Sequence, residues 1–309
     1  MLDTYVFGSV SRISPEAPVP IVDVEKRESR AGGAANVAMN IRAMGGKAVL
    51  CSVIGKDDAG EKLTKLLKES NAEESGISRS AKRITTEKTR IFSRNHQMLR
   101  YDRETQDDLS ANDEKILLGD IAQFINSGKF NVVVLQDYNK GVLTAKVIHE
   151  TVALCLKKKI PVAVDPKKKN FFEYRNVTLF KPNLREVMDA LKIEVDKGDK
   201  KSLEKTARAL HAKLNHQITL ITLSETGAFV TDHKTSELIP ATVRHVADVS
   251  GAGDTVLSAA AMCLALRTDF KTMGRIANIA GGLACEQVGA STISRENLLA
   301  ELTASGDNK

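Results

Sequence analysis

The 309-residue chain has no tryptophan, and aromatic residues make up only 4% of it, so its core must rest on aliphatic side chains. No apolar run approaches the roughly 18 residues that a membrane span requires. The first residues also lack the basic and apolar regions of a signal peptide. We therefore expect a cytoplasmic protein without a membrane partner.

Cysteine and histidine are sparse too. The four cysteines are far apart and form no CxxC pair, and each lies in an apolar stretch, which predicts reduced, buried thiols. The six histidines show no HExxH motif or other paired spacing. This spacing does not favour a transition metal held by the protein.

The charge balance is basic, with a formal net charge of +6. Such a charge suits either nucleic acid or an anionic metabolite. The basic residues are spread along the chain, with short runs only at residues 157–159 and 167–169, and aromatic residues do not alternate with them. We expect a solvated basic surface and a small anionic partner, and no binding of nucleic acid.

Short β-branched runs alternate with helical patterns along most of the chain. This alternation predicts one α/β domain over residues 1–309, with a mainly parallel sheet covered on both faces. The predicted strands are residues 49–54, 132–135, 162–164, 179–180 and 218–223, and the predicted helices are residues 59–69, a helix capped by Thr144, and residues 252–266 and 271–288.

Two segments interrupt this alternation. Residues 5–30 are extended and contain three prolines, and residues 85–103 show the pattern of a hairpin with its turn at residues 94–96. Together they predict a small antiparallel β lid beside the main sheet. Two ordinary surface loops would be the alternative.

The sharpest motif is DVSGAGD at residues 248–254, which is followed by an Ala-rich helical stretch. Gly251 and Gly253 let the backbone approach a ligand closely, and the helix start beyond them offers N–H groups that attract phosphate. A carboxylate at this point, Asp254, can remove a proton from a nearby hydroxyl. A glycine turn with a capping aspartate is the structural alternative.

A second motif, GGAANVA at residues 32–38, leads into another helical pattern. Its glycines also permit a close approach, and Asn36 offers an amide that donates and accepts hydrogen bonds, which suits sugar hydroxyls. A plain junction between a loop and a helix is the alternative. The motif is not a GxGxxG dinucleotide fingerprint.

In their order and separation, these two motifs resemble the signatures of the ribokinase-like (PfkB-type) carbohydrate kinases, and the resemblance covers nearly the whole chain. It implies a three-layer α/β/α ribokinase-like fold with a small β lid. It also implies ATP and Mg²⁺ as cofactors, a sugar phosphate as the small-molecule partner, and a homodimer joined through the lid. Activation by a monovalent cation stays open.

The resemblance also assigns roles to single residues. Asp254 would be the catalytic base, and Glu186 would help to order Mg²⁺ through water. The amides of Gly251, Ala252 and Gly253 would form an anion hole. The candidates for ATP binding are Asn183, Leu184, Arg185, Glu186, Ser224, Gly227 and Asn278. The candidates for sugar binding are Asp3, Gly33 and Asn36, with Arg94 and Lys167 for a second phosphate and Arg90 in reserve.

Further segments, at residues 11–20, 135–141, 165–167 and 181–183, resemble the branch of this family that acts on D-glycero-β-D-manno-heptose 7-phosphate, a precursor of lipopolysaccharide heptose. That branch is often fused to a nucleotidyltransferase domain. Because the chain ends soon after its last kinase helix, we expect a stand-alone kinase. The family's first strand and a Gly-Asp pair precede the position of Met1, so one strand of the main sheet is expected to be missing.

The expected reaction is ATP-dependent phosphorylation of this heptose 7-phosphate at C1, giving the 1,7-bisphosphate. A kinase for another sugar, such as fructose 1-phosphate or ribose, is one alternative. A nucleotide- or sugar-binding protein without catalytic activity is the other.

Overall fold

The structure is a computed structural model that describes residues 1–70, 72–94, 96–242 and 245–306. The strands are β1 (Leu2–Ile13), β2 (Pro20–Ala31), β3 (Ser52–Gly55), β4 (Ile77–Ser80), β5 (Glu87–Ser93), β6 (His96–Arg103), β7 (Val133–Gln136), β8 (Val162–Asp165), β9 (Leu179–Phe180), β10 (Ile218–Thr222), β11 (Gly227–Thr231) and β12 (Ser236–Pro240). The helices are α1 (Ala34–Ala43), α2 (Asp58–Glu69), α3 (Ala111–Asn126), α4 (Ala145–Lys158), α5 (Leu184–Leu191), α6 (Lys200–Leu214), α7 (Ala252–Ala265), α8 (Phe270–Cys285) and α9 (Arg295–Gly306).

The main sheet has six strands in the order β12-β11-β10-β9-β8-β7. Strands β7 to β10 pair in parallel, and β11 and β12 add an antiparallel edge. Successive residues of β8 point to opposite faces: Ala163 packs with α7 and α8, whereas Val162 and Val164 pack with α4 and α6. Because both faces are covered, the buried strands are apolar throughout. The predicted mainly parallel sheet between two helical layers is confirmed.

Local sequence signals set most element boundaries. Thr144 caps α4 as expected, because its hydroxyl accepts a hydrogen bond from the Val147 N–H at 3.1 Å. Outside the lid, most predicted boundaries agree with the structure to within one residue, and two differ by three residues. Strand β3 begins only at Ser52, because Val49 makes an isolated bridge to Glu73. Helix α8 ends at Cys285, because the chain then turns away towards Gly289, whose φ is +75°.

The predicted lid is a four-stranded sheet in the order β2-β1-β5-β6. Its first strand begins at Leu2, before the expected residue 5, and the β5–β6 hairpin lies where it was predicted. The expectation of a purely antiparallel lid was wrong, because β1 and β5 pair in parallel. The long connection between them, which contains α1 and α2, lets both strands run in one direction. Asn95, in the predicted hairpin turn, lies outside the described residues.

A cavity of about 900 Å³ runs along the free edge of β7. Val133 and Val134 of β7 line one side of it, and Val53 and Ile54 of β3 line another. Strand β3 pairs with β4 in a separate two-stranded sheet, so the cavity lies between two strand systems.

Two other expectations concern cysteines and membranes. Cys155 and Cys263 are buried free thiols, and burial raises the pKa of each to about 11. Cys51 is only partly buried, although burial still raises its pKa to about 12. Within the described part of the chain, every helix is too short or too polar to cross a bilayer.

Candidate active site

Helix α7 begins with the sharpest sequence motif. Gly251 precedes it in the left-handed conformation, with φ of +83°, and no side chain caps the helix. A β-carbon at Gly251 would lie 3.0 Å from Asn36 Nδ2, so a glycine is needed for both the turn and the space. The Ala252 N–H bonds to the Val249 carbonyl at 3.3 Å, which closes the turn before the helix. Asp254 therefore lies in the first turn of a helix start that suits anions.

Asp254 joins the two sequence motifs. Its side chain is buried, and its two carboxylate oxygens have different donors: Asn36 Nδ2 donates to Oδ2 at 2.8 Å, and the Tyr138 hydroxyl donates to Oδ1 at 2.7 Å. Asn40 Nδ2 donates to Asn36 Oδ1 at 3.2 Å, which fixes the Asn36 amide with its N–H group towards Asp254. The predicted base and a predicted sugar ligand are thus in direct contact.

Burial raises the pKa of Asp254 to about 6, although the hydrogen bonds from Asn36 and Tyr138 act in the opposite direction. A carboxylate with this pKa is mostly ionised at neutral pH and is also a stronger base than an exposed aspartate. Such a pKa, close to the working pH, is what general-base catalysis favours.

A buried ion pair lies next to this helix start. Lys181 Nζ is 2.9 Å from Asp165 Oδ2, and both side chains are shielded from solvent. A β-carbon at Gly253 would lie 3.8 Å from Asp165 Oδ2 and 3.9 Å from Lys181 Nζ, so the pair borders the predicted anion hole. Neither residue was predicted from the sequence to belong to the site. The position of Asp165 at the end of β8 and that of Lys181 directly after β9 were a usable signal, because parallel strands end at one edge.

Glu186 and Lys167 belong to the same region. Asn183 and Glu186 form a capping box at the start of α5: Asn183 Oδ1 accepts from the Glu186 N–H at 2.8 Å, and Glu186 Oε2 accepts from the Asn183 N–H at 2.9 Å. The other oxygen of Glu186 accepts a hydrogen bond from Lys167, which also lies 3.7 Å from Asp165. The two nearby carboxylates therefore have lysine partners. Carboxylate oxygens with such partners suit a Mg²⁺ ion whose main ligands are phosphate oxygens and water.

The remaining nucleotide candidates lie at neighbouring strand ends. Ser224 follows β10, and Gly227 begins β11 with φ of +110°. Asn278 on α8 donates to the Pro240 carbonyl at 3.0 Å, and Pro240 pairs with Gly227. Asn183 bridges to Thr222 at the end of β10, so Leu184 and Arg185, in the first turn of α5, lie at the same edge.

The sugar candidates divide into two groups. Asp3 is buried in β1 and forms an ion pair with Arg90, whose Nη1 is 2.7 Å from Asp3 Oδ1. Gly33 has φ of +59°, and a β-carbon there would touch the Tyr138 ring at 3.4 Å, so it lies beside Asp254's donor. Arg94, in contrast, is exposed at the end of the β5 hairpin strand.

A buried carboxylate at a glycine-lined helix start provides a base beside an anion site, which are two groups that phosphoryl transfer uses. The profile of the family described as pfkB family carbohydrate kinase matches residues 2–297. The chain belongs to this family and is a sugar kinase.

The relatives of this chain are longer than it is. The bifunctional protein HldE of Geotalea uraniireducens is 40% identical over 304 residues, which are 98% of this chain and 61% of that protein. HldE of Caulobacter sp. is 41% identical over 300 residues, which are 97% of this chain and 60% of that protein. The chain thus spans about three fifths of the length of these curated relatives.

The solved structures confirm the fold. The structure of phosphofructokinase-2 from Escherichia coli in complex with potassium matches with a TM-score of 0.81 at 19% identity, and the match covers 99% of this chain and 96% of that one. The predicted ribokinase-like α/β fold is therefore correct.

The hydrogen bond from Tyr138 generates a pH prediction. This hydrogen bond favours the ionised form of Asp254, so the Tyr138→Phe substitution should raise the pKa of Asp254 further. We expect the acidic limb of the kcat/KM profile to move upwards by on the order of one pH unit. Measuring kcat/KM from about pH 5 to pH 9 tests this shift.

A matched control is Tyr174→Phe, because the Tyr174 hydroxyl donates at the same 2.7 Å distance to a different buried carboxylate, Asp137. The Tyr174→Phe control should leave the pH of the acidic limb of the kcat/KM profile unchanged. An unshifted limb in Tyr138→Phe, or an equal shift in both variants, would contradict the assignment.

Proposed function

We propose that this kinase transfers the γ-phosphoryl group of ATP to the C1 hydroxyl of D-glycero-β-D-manno-heptose 7-phosphate. The contact between Asp254 and Asn36 supports this proposal most, because the proposed base and an amide suited to sugar hydroxyls are hydrogen-bonded to each other. The segments at residues 11–20, 135–141, 165–167 and 181–183 support the heptose, since they resemble kinases for that sugar. The identity of about 40% to two HldE proteins agrees with this resemblance.

In the proposed mechanism the Asp254 carboxylate accepts the proton of the C1 hydroxyl. The sugar oxygen then attacks the γ-phosphorus in line, the bond to the β-phosphate oxygen breaks, and ADP leaves. The start of α7 and the amides of Gly251 and Gly253 stabilise the charge on the transferring group, and the Ala252 N–H would join them after release from the Val249 carbonyl. Lys181, held beside Gly253 by Asp165, adds a fixed positive charge. The lid excludes water during the transfer.

Mg²⁺ and a monovalent cation have supporting roles in the proposed mechanism. When Mg²⁺ is bound with ATP it neutralises phosphate charge, and Glu186 would orient it through water, with Asp165 nearby. The Escherichia coli phosphofructokinase-2 structure contains potassium, and activation of this chain by a monovalent cation stays an open part of the proposal.

The second phosphate of the sugar requires cations. Arg94 and Lys167 are the proposed ligands, and Arg94 has the freer side chain because Lys167 already contacts two carboxylates. Arg90 is held by Asp3 and lies 5.5 Å from the centre of the Tyr5 ring, so it would serve after release from that pair.

A substrate panel tests the sugar assignment. A coupled assay of ADP formation should show the highest kcat/KM with the heptose 7-phosphate, and lower values with the unphosphorylated heptose, fructose 1-phosphate and ribose. Replacing Arg94→Gln should raise the KM for the phosphorylated heptose roughly tenfold, as loss of one charged contact does, and leave the KM for ATP unchanged.

Arg79→Gln, which removes another exposed arginine, is the control for charge. The same panel on a chain extended upstream by one strand distinguishes a poor substrate from an incompletely formed site. Preference for another sugar would contradict the heptose assignment, and binding without turnover in both chains would favour the non-catalytic alternative.

We also propose a cytoplasmic homodimer joined through the lid. The free thiols Cys155 and Cys263 suit a reducing compartment. The outer lid strands expose large apolar side chains that a second copy would cover, with exposed fractions of 62% for Val24, 56% for Leu99 and 51% for Tyr101.

Sedimentation velocity tests the dimer. The parent should sediment as a dimer, and Leu99→Lys should sediment as a monomer because a charge would be buried in the interface. The control is Leu266→Lys, at a leucine that is 75% exposed after α7 and away from the lid. A monomeric parent, or a dimer that survives Leu99→Lys, would contradict this interface.

A further inference from the structure

Three histidines that are separated in sequence meet at the end of the sheet opposite the catalytic edge. His211 lies in the last turn of α6, His216 lies two residues before β10, and His233 lies in the turn between β11 and β12. One possible ligand nitrogen from each lies within 4.8 Å of the others, and the ring centroids of His211 and His233 are 4.1 Å apart. Sequence spacing gave no sign of this cluster.

The cluster contains shielded nitrogens without partners. His216 is fully buried; its Nε2 lies 2.6 Å from Thr219 Oγ1, but its Nδ1 has no hydrogen-bond partner among the described residues. Neither ring nitrogen of His233 makes a hydrogen bond of normal geometry within the described residues, although the backbone of His216 lies near the ring. Buried polar atoms normally find a partner, because an unsatisfied one costs about 1–3 kcal/mol. A bound metal ion would satisfy the lone-pair nitrogen of each ring, whereas the remaining N–H group of His233 would need an acceptor such as water.

Backbone contacts already orient one of the rings. His211 Nδ1 lies 2.8 Å from the His216 carbonyl oxygen. A carbonyl oxygen can only accept, so Nδ1 carries the proton and the lone pair of His211 is on Nε2. This arrangement, with one nitrogen bound to a carbonyl and the other free, is typical of metal-binding histidines.

We propose that His211, His216 and His233 form a binding site for a divalent transition metal, with Zn²⁺ as the best match. Imidazole nitrogens suit zinc, copper and nickel. Tetrahedral zinc with bonds of about 2.0–2.1 Å requires ligand nitrogens about 3.3 Å apart, so side-chain shifts of about 1 Å would close the site. A cavity of about 90 Å³ beside His233 has room for water as a fourth ligand.

The position of the site indicates its role. It would connect the end of α6 to the turn between β11 and β12, whereas Ser224 and the catalytic residues lie beyond the other end of β10. The metal would therefore stabilise the antiparallel edge of the sheet and take no part in phosphoryl transfer. This inference does not depend on the identity of the sugar.

Titration of the metal-free, tag-free protein with ZnCl₂ tests the proposal. Isothermal titration calorimetry without ATP should show one equivalent of Zn²⁺ per chain, and the Tm should rise by at least about 3 °C at saturation. His233→Asn is the main variant, because asparagine accepts the positive φ of 68° at this position but lacks the imidazole. His211→Gln is a second variant, which keeps an N–H donor in a helix.

Each variant should weaken zinc binding at least about tenfold and abolish the rise in Tm, while kinase turnover in metal-buffered Mg²⁺ stays unchanged. The control is His149→Gln, which removes an exposed histidine paired with Glu173 and should bind zinc like the parent. Absence of one-equivalent binding by the parent would overturn the proposal. Equal zinc affinity in the parent and the His233→Asn variant would also overturn it, and so would equal weakening by His149→Gln.

Discussion

The structure depends on keeping one carboxylate ionised where burial opposes its charge. Asp254 is 4% exposed, and its pKa is raised from 3.8 to about 6. A shift of this size means that ionising Asp254 costs the folded protein about 3 kcal/mol at neutral pH. Asn36 and Tyr138 limit this cost with hydrogen bonds to both oxygens. The candidate site thus gives up stability to hold a carboxylate whose raised pKa suits the proposed role as a base.

Holding this carboxylate requires distant parts of the chain to converge. Asn36 and Asp254 are 218 positions apart, and Tyr138, which follows β7, completes the contact. Tyr138 follows a parallel strand of the main sheet, whereas Asn36 lies on α1 and Asp254 on α7, and the packing of these two helices against each other brings the two motifs together. The Lys181–Asp165 pair lies at the carboxyl edge of that sheet, where a fixed positive charge compensates a negative one without solvent.

Features that neighbouring residues determine could be predicted from the sequence, whereas contacts between distant segments could not. The cap at Thr144, the glycine turn before α7 and the alternation of strands and helices were readable because short-range chemistry sets them. The parallel pairing of β1 with β5 could not be predicted from the sequence, because a long connection between two strands permits either direction. Lys181 gave no local sign of its buried partner. No local pattern indicated that the rings of His211 and His233, which are far apart in sequence, are in contact.

The most direct test measures turnover and unfolding of Asp254→Asn at several pH values. The folded pKa of Asp254 is above its ordinary value, so its ionisation destabilises the parent progressively as pH rises from about 4 to 7. The variant should lose on the order of 10²–10⁴-fold in kcat and still bind ATP. At pH 8 its free energy of unfolding should exceed that of the parent by about 1–3 kcal/mol, with the difference vanishing in acid. A variant that keeps most of the parent's turnover would contradict the account.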